Sequence, residues 1–501
     1  MRKCIAALAA VLVCAAIWPL AAGAHPDEAS ELYIPWAEEV GQQRSVQFMQ
    51  GSNARAAALD PAAPGSRNMS LVGNSDKDGT VNSDLAFWGN LAYAGNYGGF
   101  RILDITADQP QTVVDFACNG PQNDVSVYEM GGKRFLFQSI DSGQTSEDCT
   151  SANAPLVGGQ RTGYEGVRVF DVTNPASPVF LDMIQTACGS HTHTLVPDGN
   201  RAYIYVSSYP LGSGITAPEG PGAFRPCALP HKKISIVEVS APNGQFQFDL
   251  REKALSSDTA VNRGFQACHD IQVFTPKNLA VASCAGDGQL WDVSDPANPT
   301  ASDGEPHTHI NSPSVADQFE FIHSGIVSWD GTTFAIMDET GGGVTAECDG
   351  AASQDGFYYF YDVVEPGAPA PPLKGRYTIP RPQTPEICVS HNANVIPIKG
   401  RKLMSAAYYQ GGNTLVDFTD PSNIREVAYS DLEDATGKAD SWSTYWYNGR
   451  IFVNGGLDRR GATGNRGVDV FRLAGSLEQV TRHATTWAYS NPQTQEAFQA
   501  P

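Results

Sequence analysis

The segment GGFRILDITADQP at residues 98–110 recurs in related form along most of the chain. Six further segments share its pattern: EGVRVFDVTNPASP at 165–178, ISIVEVSAPNG at 234–244, DGQLWDVSDPANP at 287–299, FYYFYDVVEPGAP at 357–369, NTLVDFTDPSN at 413–423 and GVDVFRLAG at 467–475. Apolar and polar residues alternate in the core of each segment, which indicates a β-strand with two unlike faces. Three copies end on Asp or Asn followed by Pro (Asn174-Pro175, Asp295-Pro296 and Asp420-Pro421), which indicates a turn because proline cannot extend a β ladder.

Each copy follows two other predicted strands, and most copies precede a short fourth strand such as TVVDFAC at 112–118. Four-stranded units of about 40 to 50 residues are typical of β-propeller blades. We therefore predict an all-β fold, a seven-bladed β-propeller spanning 68–475, in which the strand NMSLVGN at 68–74 closes the last blade. An irregular N-terminal arm at 25–67 and a C-terminal tail at 476–501 are predicted to flank it.

The repeated GGFRILDIT unit with its Asp-Pro ending resembles the LVIVD repeat family of exported β-propeller proteins. This resemblance covers roughly residues 68–475. It implies the propeller fold and export from the cytoplasm. It implies no activity, because one fold hosts many unrelated functions.

The first 24 residues have the features of a secretory signal: Arg2 and Lys3, an apolar run, and the small residues Ala22-Gly23-Ala24 before the expected cleavage point. We therefore expect a secreted or periplasmic protein. The chain holds 33 Lys and Arg against 54 Asp and Glu, a net charge of −21. This acidity argues against nucleic acid and anionic membrane surfaces as partners.

Ten cysteines are present, and two of them, Cys4 and Cys14, belong to the predicted signal. In an exported protein the remaining even number favours disulfides over free thiols. Thiolate metal ligands are the alternative, although the chain has no CxxC motif. Order and spacing suggest the pairs Cys118–Cys149, Cys188–Cys227, Cys268–Cys284 and Cys348–Cys388.

Four histidines begin the first strand of four consecutive units: His191, His269, His323 and His391. Equivalent positions in a closed repeat lie at one height, and first strands line the channel of a propeller. We predict that these imidazoles bind a divalent transition metal, with copper or iron favoured and zinc possible, because neutral imidazole suits these ions. The alternative is that each buried histidine bonds a backbone carbonyl in the channel.

The other blades are predicted to place Asp84 or Asn82, Asp124 and Ser441 at the same level. We assign Asp124 a catalytic role as a carboxylate that compensates the charge of the metal. His193 shares the inward face with His191 and is predicted to be catalytic, as a proton shuttle or a fifth ligand.

Several other residues give weaker indications of a function. Glu339 follows the second strand of blade five and is interpreted as a turn carboxylate, with a position at the channel mouth as the alternative; Tyr409 and Tyr445 are assigned to packing between blades. His307 and His309 are placed in a loop, either as a contact at the rim or as solvated side chains. The Gly- and Pro-rich insertion at 207–231 is the best candidate for a lid.

In architecture the chain resembles two groups of metal-dependent propeller enzymes. Selenium-binding proteins and methanethiol oxidases use histidine-bound copper, but the Cys-Ser-Ser-Cys motif of many of them is absent here. Carotenoid cleavage oxygenases hold iron with four histidines from separate blades, but their sequence motifs are not evident. The similarity implies an oxidoreductase acting on a small-molecule substrate in the central channel.

Two other functions stay open. The chain is alternatively a non-catalytic exported propeller that binds an extracellular protein or a glycan, with structural histidines. It is alternatively a metal-dependent hydrolase or lyase, because zinc held by histidines activates water. No GxSxG elbow, phosphate-binding loop or HExxH motif points to another class of enzyme.

Overall fold

The computed structural model describes residues 65–77, 79–154, 163–209, 227, 231–256, 267–312, 319, 321–339, 356–381, 388–431, 433–434, 437–438, 441–457, 465–482 and 484–496. The predicted signal at 1–24 lies outside these residues, as do most of the N-terminal arm and residues 210–226 of the predicted lid. Within the described residues, no helix is long enough and apolar enough to cross a membrane.

The described chain forms seven antiparallel sheets of four strands, some with an added edge strand. The first two strands are β1 (Gly65–Arg67) and β2 (Met69–Ser75). Blade one contains β3 (Asn82–Trp88), β4 (Leu91–Asn96), β5 (Gly99–Asp104) and β6 (Gln111–Ala117). Blade two contains β7 (Gln122–Met130), β8 (Lys133–Gln144), β9 (Tyr164–Asp171) and β10 (Val179–Gln185). Blade three contains β11 (Thr192–Asp198), β12 (Arg201–Ser207), β13 (Lys233–Ser240) and β14 (Gln247–Ala254).

Blade four contains β15 (Ile271–Phe274), β16 (Leu279–Cys284), β17 (Asp287–Asp292) and β18 (His307–Ile310). Blade five contains β19 (Ile322–Val327), β20 (Thr333–Asp338), β21 (Tyr358–Asp362) and β22 (Leu373–Tyr377). Blade six contains β23 (Ala393–Ile396), β24 (Leu403–Ala407), β25 (Asn413–Asp417) and β26 (Arg425–Asp431). After the short hairpin of β27 (Glu433–Asp434) and β28 (Gly437–Lys438), blade seven contains β29 (Ser441–Tyr447), β30 (Arg450–Leu457) and β31 (Asn465–Leu473). Single 3-10 turns lie at Pro242–Gly244 and Thr275–Lys277.

The first strands of the seven blades contact one another in order and close into a ring around the channel. The fourth strand of blade seven is β2, which pairs antiparallel with β31, Met69 opposite Leu473. The predicted seven-bladed propeller and its closure by an N-terminal strand are therefore confirmed. The strand β1 pairs with β26 and extends blade six, so the end of the N-terminal arm is regular rather than irregular.

The repeated motif forms the third strand of each blade, and in four blades an Asp at the end of this strand caps the turn that follows. The carboxylates of four such residues each accept a hydrogen bond from the backbone amide two residues further on: Asp104 from Thr106, Asp171 from Thr173, Asp292 from Ser294 and Asp417 from Thr419. The turn predicted after the repeated strand thus forms in these four blades. Apolar side chains between adjacent blades form the core, which is almost fully buried.

Three predicted disulfides are present: Cys118–Cys149, Cys188–Cys227 and Cys268–Cys284. Cys388 is also disulfide-bonded, and its predicted partner Cys348 lies outside the described residues. The bond between Cys268 and Cys284 joins the beginning of the first strand of blade four to the end of its second strand. It therefore closes the blade directly beside His269.

The C-terminal tail crosses the channel at the end opposite the predicted histidine ring. After the helix α1 (Ser476–Arg482), β32 (Tyr489–Ser490) pairs with β3, and β33 (Thr494–Gln495) pairs with β15. Between them, Asn491 bonds both the amide and the carbonyl of Val127, and Thr494 Oγ1 donates to the carbonyl of Leu195. The tail is thus bonded to the channel edges of the first strands of blades one to four.

Candidate metal centre

The four predicted histidines occupy equivalent positions in their blades. Three of them donate their backbone amide to a carbonyl of the neighbouring second strand: His191 to Ser207 at 3.2 Å, His269 to Ser283 at 2.6 Å and His391 to Ala407 at 2.9 Å. The fourth, His323, is the second residue of β19. The register inferred from the sequence repeat is therefore present at His191, His269 and His391, whereas the pairing of β19 with β20 shifts at His323.

The four side chains form a continuous row, which we call the histidine arc (His191, His269, His323 and His391). Ring centroids are 4.6 Å apart between His191 and His269, 3.7 Å between His269 and His323, and 4.5 Å between His323 and His391. No ring in the arc is more than 3% exposed. Four consecutive blades thus bring four imidazoles into contact at one end of the channel.

The hydrogen-bond partners at the two ends of the arc assign the protons on those rings. His191 Nδ1 lies 2.8 Å from a carboxylate oxygen of Asp141, and His391 Nδ1 lies 2.5 Å from the carbonyl oxygen of Trp442. These oxygens accept hydrogen bonds, so each Nδ1 carries the hydrogen. In the neutral ring, each Nε2 then presents a lone pair to the arc.

The first two rings of the arc meet through their Nε2 atoms, which are 2.9 Å apart. A proton on His269 Nε2 would satisfy this pair and leave a lone pair on His269 Nδ1, which lies 3.5 Å from Asp270 Oδ1 and has no hydrogen-bond partner among the described residues. A cation shared by the two Nε2 atoms would instead leave the hydrogen on Nδ1. The donor set therefore fits a metal ion.

Carboxylates stand beside the arc. Two groups, His269 with Asp270 and His323, and His323 with Glu339 and His391, each bring their ligand atoms within 4.8 Å of one another. Glu339 lies 3.6 Å from His323 Nε2 and 3.8 Å from His391 Nε2. This buried carboxylate therefore lies beside the arc, which agrees with the less favoured of the two interpretations of the sequence.

Tyr409 holds Glu339 in place, because its hydroxyl donates to Glu339 Oε1. Its ring also lies 4.6 Å from the ring of His391. The sequence interpretation gave Tyr409 only a packing role, whereas it supports a carboxylate of the site. Tyr445 likewise does more than pack, since its hydroxyl donates to Asp84 at 2.5 Å.

Burial keeps the centre of the arc unprotonated. It lowers the pKa of His269 and of His323 well below the usual range, and the neighbouring histidines lower both further. Neutral imidazole is the form that binds metals, so these two rings need not lose a proton first at neutral pH.

Three buried aspartates, Asp84, Asp124 and Asp270, lie near the arc and interact with one another. Burial raises the pKa of Asp84 and of Asp270 to about 7 in each case. It also raises the pKa of Asp124 well above the usual range, with Asp84 and Asp270 adding to the effect. These carboxyl groups are close enough to disfavour one another's ionisation, which a nearby cation would relieve.

Blade two approaches the arc through Gln122 rather than through Asp124. Gln122 Nε2 lies 3.5 Å from His191 Nε2. The pairing of β7 with β8 is irregular between Gln122 and Val125, and both Gln122 and Asn123 have positive φ. This bulge changes which side chain faces the arc, so Asp124 acts on His191 through electrostatics.

His193 is held between two serines of blade two. Its Nε2 lies 2.7 Å from Ser126 Oγ, and its Nδ1 lies 2.8 Å from Ser139 Oγ. Burial lowers its pKa to about 3. Because hydroxyl groups occupy both ring nitrogens, the geometry favours a structural role over the predicted role as a ligand or proton shuttle.

Sequence reasoning did not connect a second set of residues with the arc. Asp141 lies near the end of the second strand of its blade, and Tyr209, Glu339 and Tyr409 lie one or two residues beyond the end of theirs. In an antiparallel blade this end lies beside the start of the first strand, where the histidines are. An alignment of second-strand ends across the repeats would have identified these positions.

Aromatic side chains surround the arc. Tyr209 lies 5.4 Å from His191, Phe321 lies 5.6 Å from His269, and Trp442 lies 4.9 Å from His391, measured between ring centroids. All three are buried. They replace water around the donors with apolar surface, which strengthens electrostatic interactions within the site.

No family model matches the chain, and no curated protein matches it. Solved structures with a similar course of the chain include the β-propeller domain of Cps50 (Swd1) from Myceliophteria thermophila, with 10% identity, 80% of this chain and 99% of that chain covered, and a TM-score of 0.46. Sqt1 from Chaetomium thermophilum has 12% identity, 82% and 90% coverage and a TM-score of 0.43. The computationally designed Ika8 protein has 11% identity, 80% and 99% coverage and a TM-score of 0.40. At these values the likeness concerns the course of the chain alone, and the fold rests on the strand pairing described above.

Proposed function

We propose that the histidine arc binds one divalent transition-metal ion and that the protein is a metal-dependent oxidoreductase acting on a small molecule in the channel. One observation carries the proposal: the Nε2 lone pairs of His191 and His391 face the arc because acceptors occupy both Nδ1 atoms. Four neutral imidazoles with an adjacent carboxylate suit copper or iron, and also zinc.

Different residues would orient the ligands, supply charge and exclude water in such a site. Asp141 and the carbonyl of Trp442 orient the outer imidazoles, and Glu339 supplies negative charge beside His323 and His391. The aromatic side chains keep water from the donors. A bound copper or iron ion would supply electron transfer or Lewis acidity to a substrate. The substrate would approach from the side of blades one, two and seven, which contribute no histidine to the arc.

The test is the metal content of the purified chain, measured by mass spectrometry for the wild type, His269→Gln and His391→Gln. We expect about one equivalent in the wild type and a loss of most of it in both variants. His193→Gln is the matched control, because this channel histidine bonds only serines in the described contacts and should leave the metal in place. A wild type that still binds no copper, iron or zinc after reconstitution contradicts the proposal.

Spectroscopy separates the oxidoreductase from the other functions. Copper or iron that changes oxidation state with ascorbate, and whose electron paramagnetic resonance spectrum shifts with azide, supports an open redox site. Zinc alone would favour a hydrolase or lyase. A metal that accepts no added ligand, and whose removal only lowers thermal stability, would favour the non-catalytic propeller with a structural ion.

Export is part of the proposal. Three disulfides support an oxidising compartment, because such bonds rarely persist in the cytosol. Sequencing the N-terminus of the protein recovered outside the cytoplasm should show cleavage after Ala24. A chain retained in the cytoplasm with its first residues intact would contradict export.

A further inference from the structure

A second pair of histidines lies at the outer edge of blade four, in β18, away from the arc. His307 and His309 are the first and third residues of this strand and pair with Trp291 and Gln289 of β17. The sequence interpretation placed them in a loop, whereas they form a strand and so share one face. Their Nε2 atoms are 3.0 Å apart.

The partners of the two rings again assign the protons. His307 Nδ1 lies 2.9 Å from the carbonyl oxygen of Glu305, and His309 Nδ1 lies 2.5 Å from Asp287 Oδ2. Both oxygens accept hydrogen bonds, so each Nδ1 carries a hydrogen and the two Nε2 lone pairs face each other. Only a cation between them, a proton or a metal ion, makes this contact favourable.

The residues around the two histidines resemble the groups that support histidine ligands in metal sites. Asp287 is 1% exposed and accepts a hydrogen bond from Gln289, whose amide oxygen accepts one from the indole of Trp291. A buried carboxylate behind a histidine fixes the ring and raises its affinity for metals. The His309 side chain is 21% exposed, so an ion from solvent can reach it.

Blade three contributes an oxygen to the same place. Ser256 Oγ lies 3.2 Å from His309 Nε2 and 2.8 Å from Asp303 Oδ1. Two imidazoles, a hydroxyl and a nearby carboxylate therefore meet in the groove between the outer strands of blades three and four.

We propose that His307 and His309 form a second, exchangeable site for a late first-row divalent ion such as zinc, nickel or copper. Calcium and magnesium ions do not suit this pair of imidazoles, because they prefer oxygen ligands. The site is independent of the histidine arc, since it involves none of its residues and lies on an outer strand.

The first test counts metal in the full-length chain after chelator treatment and dialysis against zinc. We expect two equivalents in the wild type and one in His307→Gln. Thr308→Ser, which alters the residue between the two histidines and keeps its hydroxyl, is the matched control and should retain two. If the arc binds no metal, the wild type should hold one equivalent and His307→Gln none. Failure of the proposed function can therefore be distinguished from failure of this second site.

A second measurement avoids any loss of folding in the variant. Diethyl pyrocarbonate modifies unprotonated imidazole nitrogens, and mass spectrometry of the peptide containing both residues reads its reaction. We expect zinc to protect this peptide in the wild-type protein. Equal zinc content in the wild type and His307→Gln, together with labelling that zinc does not change, would show that the pair only shares a proton and would overturn the proposal.

Discussion

The Nε2 atoms of His191 and His269 lie 2.9 Å apart, although 78 positions separate the two residues in the chain. Their blades are tied together at this point, because Thr192 Oγ1 donates to the carbonyl of His269 and Thr194 Oγ1 donates to that of Ile271. The spacing of the donors therefore depends on how the blades pack. An ion bound there would hold the closed ring and raise its stability.

Replacing Asp141 with alanine should weaken metal binding without unfolding the protein. Loss of the carboxylate frees the His191 ring to rotate and to change tautomer, and such supporting groups contribute about 10- to 100-fold in affinity. Competition with a chelator measures the change. Asp171→Ala, which removes a carboxylate paired with Lys133 in the same blade, should leave the affinity unaltered. Equal affinities in both variants would show that Asp141 does not orient a ligand.

Glu339→Gln should lower the affinity of the arc for a divalent ion by about tenfold. The amide keeps the shape of the side chain and its capacity to accept the Tyr409 hydrogen bond, but it removes the charge beside His323 and His391. Chelator competition again supplies the measurement. The exposed Glu365, in the turn after the third strand of the same blade, gives the control substitution Glu365→Gln. An unchanged affinity in Glu339→Gln would remove this carboxylate from the site.

Asn491→Ala should destabilise the protein by about 2–4 kcal/mol, because two buried backbone groups of Val127 lose their partner. Denaturation with urea, followed by tryptophan fluorescence, measures the loss. The exposed Asn423→Ala variant should stay within about 0.5 kcal/mol of the wild type. A similarly small effect of Asn491→Ala would mean that the tail does not bind the channel as described.

Glu496 makes stability depend on pH. Burial raises its pKa to about 8, so the folded state keeps its proton while the unfolded state releases it above about pH 4.5. The contribution is fully present below pH 4.5 and is lost as the pH rises through 8. Glu496→Gln, which cannot ionise, should therefore match the wild type at pH 4 and exceed its stability by about 3 kcal/mol at pH 7.

Urea denaturation of Glu496→Gln and the wild type at the two pH values measures this difference. The result would contradict the assignment if the difference between the two proteins were the same at pH 4 and pH 7. Glu478→Gln, in α1, serves as the control for replacing a glutamate elsewhere in the tail.

Much of the architecture could be predicted because it repeats. A strand of period two is a local property, and seven copies of it, four of them with an Asp cap, determine the number of blades. The same repetition placed His191, His269, His323 and His391 at one level before any contact was known. The closing strand at Met69–Ser75 was recognisable because it resembles the fourth strand of a blade.

The rest of the site depends on contacts between elements far apart in the chain. Glu339 follows a strand, where alternation no longer indicates which way a side chain points, and only pairing within blade five brings it beside His323. Because of a bulge in β7, Gln122 rather than Asp124 reaches the arc. No sequence pattern indicated that the tail would bond to four first strands.

The sequence by itself determined the class of fold, the closure of the ring and the four donors of the arc, because repeated local patterns impose equivalent positions. Only the tertiary structure decided the protonation of those donors, through Asp141 and the carbonyl of Trp442, and the carboxylates that accompany them. The physical reason is that tautomer, charge balance and burial arise from neighbours across blades, which no local pattern encodes.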